Sequence, residues 1–110
     1  MSMTAGERLA AAISLEQPDR VPICPMIMSA PARYAGLSLA RYYADPRAAV
    51  AAQHAYFDAL GGWDVMMMAG SIDTFPWAMA SPARVKLPGR ELDPDSVFQF
   101  EEAEVMTAAE

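Results

Sequence analysis

The stretch Val21-Pro22-Ile23-Cys24-Pro25-Met26-Ile27-Met28 is apolar on both alternations. A strand with one wet face alternates between apolar and polar residues, whereas a strand covered on both faces does not. The stretch therefore predicts a strand buried on both sides, which belongs to a parallel sheet flanked by helices and so to an α/β fold. Pro22 and Pro25 remove ladder donors, so the strand pairs only in part or takes an early, loosely paired place. Cys24, inside it, reads as a small buried hydrophobe.

The flanking segments supply the helices. Thr4-Ala5-Gly6-Glu7 has the form of a capping box, and Leu9, Ala12 and Ile13 share one face of the helix it opens. Pro18 helps to end that helix. Ser38 caps a short helix through Tyr43. Asp45-Pro46 then supplies a cap and a proline at the first helical position. This last helix runs to about Leu60 and stops at Gly61-Gly62, with Val50, His54, Phe57 and Leu60 on one stripe. Trp63-Asp64 leads into Val65-Met66-Met67-Met68, a second short apolar run. The order helix, strand, helix, strand leaves a crossover long enough for a right-handed βαβ unit.

Beyond Ala69 the pattern loosens. Residues 69–82 read as a loop with one helical turn near Trp77, and Ala83–Leu87 alternates apolar and basic, as a half-exposed strand would. Pro88-Gly89 marks a turn. From Glu91 onward the chain has seven acids and no bases, read as a solvated face. Thr107-Ala108-Ala109-Glu110 repeats the helix-start signal with no helix after it. Two βα units and the start of a third close no barrel, so the chain is expected to be the front part of a longer protein.

With 110 residues and 54% hydrophobic content, the chain has the material for one small domain with no internal boundary. A net charge of −6 argues against a nucleic-acid surface, although a small anionic substrate needs only local positive charge. Cys24 is the single cysteine, so no intramolecular disulfide is possible and no Cys/His cluster has zinc spacing. No basic-then-apolar leader opens the chain, and no apolar run approaches the ~20 residues of a membrane span. The expected location is the cytoplasm.

Gly6-Glu7 through Met28, then Tyr42-Tyr43 with Asp45-Pro46, then Gly61-Gly62-Trp63-Asp64-Val65-Met66-Met67-Met68 resembles the N-terminal third of the uroporphyrinogen decarboxylase family. The most specific segment is Pro18 to Pro25, with its Pro-Asp-Arg-Val-Pro run. The resemblance implies the N-terminal portion of a TIM barrel, an architecture of about 250 residues. It implies a substrate that is a tetrapyrrole or a corrinoid, bound at the C-terminal face of the barrel strands. It also implies a homodimer for the full-length form. The family holds true decarboxylases of porphyrin biosynthesis, which remove carboxylates from uroporphyrinogen side chains. It also holds cobamide-dependent methyltransferases, which use zinc, a cobamide and a corrinoid partner protein; their zinc ligands would fall after residue 110, and no cofactor is expected within these residues.

The same resemblance names candidate site residues. In the decarboxylases the first strand ends in Met-Arg-Gln-Ala-Gly-Arg-Tyr, whose arginines bind substrate carboxylates. Met28-Ser29-Ala30-Pro31-Ala32-Arg33-Tyr34 occupies that frame. Arg33 matches the second arginine, Tyr34 the tyrosine, and Ser29 stands where the first arginine should be. Serine cannot replace a bidentate guanidinium–carboxylate pair. After the second strand the decarboxylases carry Phe-Ser-Asp-Ile, whose aspartate faces the pyrrole NH groups. Ser71 falls at that position, and Asp73, two residues on, becomes the candidate catalytic acid. One clamp lost and one aspartate displaced favour the methyltransferase branch over the decarboxylase.

Each candidate also has a plainer reading. Arg33 is either an anion clamp or a solvated charge on a turn, and Asp73 is either catalytic or the N-cap of a turn at 74–77. His54, on a crossover helix, reads as structural, and Met66 to Met68 as adaptable core. Beside the enzyme stands the alternative of a free-standing, non-catalytic binding module.

Overall fold

The computed structural model describes residues 2–66 and 84–101. The chain opens with α1, Ala5–Ile13, and the capping box is formed in full. The Glu7 amide donates to Thr4 Oγ1 at 3.3 Å, and the Thr4 amide donates to Glu7 Oε2 at 2.8 Å. The buried residues of α1 are Arg8 and Ala11, while Ile13 lies open to solvent. The expected Leu9–Ala12–Ile13 face is thus not the one that packs. Two aspartates draw the Arg8 guanidinium inward and turn the helix with it.

Three helices form the core. α2, Ala30–Tyr34, is a short helix where the sequence reads as loop; Pro31 sits in its first turn. α3, Leu39–Ala44, starts as expected at Ser38, whose hydroxyl accepts from the Arg41 amide at 3.2 Å. α4, Pro46–Ala59, follows at once: Asp45 ends α3 and caps α4, accepting from the Arg47 and Ala48 amides at 3.1 Å each. The α4 helix stops before Gly61 and Gly62, both at positive φ. At Gly62 an added Cβ would lie 2.8 Å from the Phe57 ring, so glycine is required there for space as well as for conformation.

The packed side chains are Ala32, Leu39, Tyr42, Tyr43, Ala49 and Ala52, with Leu37, Leu87 and Phe98 against them. The buried face of α4 is Ala49, Ala52 and Gln53. The expected stripe of Val50, His54 and Leu60 is exposed, and Phe57 is half-buried. Small side chains on α4 let α2 and α3 approach closely, and the tyrosines of α3 fill the space they leave.

The C-terminal described segment closes over α3. β1, Arg84–Lys86, and β2, Gln99–Glu101, pair antiparallel with Val85 opposite Phe100. Of the half-exposed strand expected at Ala83–Leu87, Arg84–Lys86 is a strand and Ala83 lies outside the described residues; the turn at Pro88-Gly89 is found. The Ala40 amide donates to Pro94 O at 2.8 Å, tying this segment to α3.

Val21–Met28 departs most from expectation. The segment carries no strand ladder, and Val21, Ile23, Cys24, Met26 and Met28 are exposed. Pro22 and Pro25 lack N–H groups, and among the described residues no layer covers these side chains. One point of pairing exists: Ile23 O accepts from the Asp64 and Val65 amides at 3.0 and 3.1 Å. Among the described residues the two apolar runs therefore meet at Ile23. Of the methionine run, Met66 is half-buried, and Met67 and Met68 lie outside the described residues, as does the turn expected near Trp77. No helix among the described residues is long and apolar enough to cross a membrane.

Candidate functional site

Ser29, Arg33 and Tyr34 fall on one short piece of chain, the turn after Met28 and the helix α2. Ser29 is the N-cap residue, but its hydroxyl caps nothing; its carbonyl accepts from the Ala32 and Arg33 amides at 3.1 and 3.4 Å. Arg33 and Tyr34 are both exposed, in the last turn of α2. No acid among the described residues pairs with the Arg33 guanidinium. The Tyr34 ring, 56% exposed, meets Tyr56 edge-on at 5.6 Å between centroids. Tyr56 in turn meets Trp63, and Trp63 meets Phe57, so the exposed ring is braced by an aromatic row that ends beside Asp64. An exposed guanidinium with no acid partner among the described residues and a braced, open ring share the last turn of α2, which suits an anion carried on a flat, partly apolar body. The other two candidates, Ser71 and Asp73, lie outside the described residues.

Behind this edge lies a charge cluster that sequence reasoning missed. Arg8, on α1, is 5% exposed. Its guanidinium donates to Asp19 from Nε at 2.6 Å and from Nη2 at 2.9 Å, to the Met3 carbonyl at 2.6 Å, and to Asp64 Oδ1. Arg20 reaches the same Asp64 carboxylate at 2.6 and 2.9 Å, and the Ile23 amide donates to Asp64 Oδ2 at 2.9 Å. Two arginines and two aspartates thus neutralise one another, and the Asp64 side chain is 2% exposed.

The electrostatics follow from these contacts. The Ile23 amide, then Arg20 and Arg8, hold the Asp64 carboxyl below the usual carboxylate range against the opposing effect of burial. Hydrogen bonds from Arg8 and from the Met3 amide hold Asp19 far below it. The same Asp19 bonds raise Arg8 further, so it stays charged although buried. Every charge in the cluster is satisfied within it, which makes it a clasp and not a reactive centre. It joins α1, the Pro18–Pro25 segment and the Gly61–Val65 segment. Little in the sequence could have shown it, since Arg8 and Asp64 are 56 residues apart. The one available signal is a single arginine on the apolar side of α1 and a single aspartate opening an apolar run.

Among the described residues no group of three His, Cys, Asp or Glu is placed to hold a metal ion. Cys24 and His54, the chain's single cysteine and histidine, stand on different segments, and both are exposed. Comparison with family models, with curated proteins and with solved structures found no match to this chain.

Proposed function

We propose that this chain is the front part of a TIM-barrel enzyme of the uroporphyrinogen decarboxylase family, acting on a tetrapyrrole or a corrinoid. The observation that carries the reading is the α2 edge, where Arg33, exposed and without an acid partner among the described residues, shares one helical turn with the open ring of Tyr34. Arg33 binds an anionic group of the ligand, the nucleotide-loop phosphate of a cobamide or a ring carboxylate of a porphyrinogen, and Tyr34 packs against the rim of the macrocycle. The cobamide-dependent methyltransferase branch is favoured, because Ser29 offers no second cation at the clamp. That branch brings zinc, a cobamide and a corrinoid partner protein, and the residues to hold the metal are not among those described.

Titration of the chain with uroporphyrin and with cobalamin, followed by tryptophan fluorescence, tests the reading. Cobalamin is expected to bind the more tightly. Arg33→Ala is expected to weaken binding about ten-fold or more, the value of a charge-assisted hydrogen bond. A preference for uroporphyrin moves the assignment to the decarboxylase branch. Binding of neither ligand, or binding that ignores Arg33→Ala, sinks the site.

A further inference from the structure

Met28, the last residue before the turn into α2, has a φ of +42°. A residue with a side chain avoids this left-handed region unless its surroundings hold it there. Two buried polar groups converge on this point. Tyr42 Oη, on α3, donates to the Met28 carbonyl at 3.2 Å, and Gln53 Nε2, on α4, donates to Tyr42 Oη at 2.9 Å. Tyr42 is 1% exposed and Gln53 is wholly buried. A phenol has one proton. Since that proton goes to Met28, Gln53 must present its NH2 end, and the relay has a single polarity. Burial pushes the Tyr42 phenol up, which keeps it a donor.

We propose that Tyr42 and Gln53 are positioning residues: their relay holds Met28 in its left-handed turn, and that turn sets where α2 presents Arg33 and Tyr34. The core needs the tyrosine ring for packing but not its hydroxyl, and a buried hydroxyl or amide is unfavourable unless bonded. The relay therefore has a purpose at the end it reaches, the backbone of Met28. Only the identity of what Arg33 meets rests on the functional reading above.

The test is backbone amide exchange of the whole chain by NMR, in Tyr42→Phe, Met28→Gly and the double variant. The Ala30 amide donates to Ile27 O across Met28, and those of Ala32 and Arg33 donate to Ser29 O, so these three amides report on the turn. In Tyr42→Phe they are expected to exchange about three- to ten-fold faster, the range for one lost hydrogen bond, while α1 amides change less than about two-fold. Adding Met28→Gly is expected to restore the slower rates, since glycine holds a positive φ without help. Equal acceleration in α1 and α2, or no rescue by glycine, overturns the proposal. Should Tyr42→Phe fail to fold, Gln53→Leu carries the same comparison, with the same outcomes and a smaller amplitude. Uroporphyrin and cobalamin titrations of the same variants separate the two claims. Exchange that follows this pattern in a chain that binds neither ligand leaves the relay standing and removes the functional reading.

Discussion

Asp64 receives Arg8, Arg20 and the Ile23 amide, all on a carboxylate closed off from water. Its own amide returns a bond to Ile23 O. Asp64→Asn keeps the shape but turns an NH2 group towards one of these donors. It is expected to lower the thermal midpoint more than Asp19→Asn, whose site is open on one side, and more than Arg20→Ala, whose side chain is half exposed. A thermal melt of the three variants ranks them, and a smaller effect at Asp64 would refute its central place. Arg33→Ala should do the opposite, leaving stability within about 0.5 kcal/mol while removing ligand binding. At this scale the sequence was read unevenly. Arg33 is a candidate only because a motif frame points to it. Asp64 reads in the sequence only as the entry to an apolar run, because a buried charge is explained by partners distant along the chain, here 56 residues away, and spacing says nothing about them.

Helix ends are local chemistry, and they were legible. Thr4, Ser38, Asp45 and the Gly61-Gly62 stop all act where residue type puts them. Helix faces are not local. On α4, Val50, His54, Phe57 and Leu60 form the more hydrophobic stripe, yet Ala49, Ala52 and Gln53 are buried. The neighbours decide: the tyrosine side chains of α3 need small residues opposite them and a polar group for the Tyr42 hydroxyl. The Val21–Met28 strand failed for a related reason. Its composition asks for cover on two faces, and the described residues supply none. Two substitutions test the ends of α4. Asp45→Ala removes two capped amides and is expected to reduce stability by about 1 kcal/mol. Gly62→Ala meets both a positive φ and the Phe57 ring, and is expected to reduce it by more than about 1 kcal/mol. Urea denaturation of each measures both.

For the molecule as a whole, the charge clasp sets the response to acid. Asp19 and Asp64 have folded-state pKa values below their unfolded ones. Their contribution is complete above the unfolded value of about 3.9 and is lost as pH falls through the depressed folded values. Urea midpoints should therefore hold nearly level from pH 7 to about 5 and drop below about 4. In Asp64→Asn the starting midpoint is lower and the drop is shallower. A wild-type profile that stays flat to pH 2 would mean that the clasp adds nothing to stability.

Asp45 is the last residue of one helix end and the first of the next, so α3 and α4 meet with no slack between them. The rotational phase of α4 is then locked to that of α3. One residue inserted before Asp45 would turn α4 by about 100°, and Gln53 would leave Tyr42 while Ala52 came round in its place. The joint works as a gear with one tooth in mesh, and this corner of the chain can accept changes of side chain far more readily than changes of length.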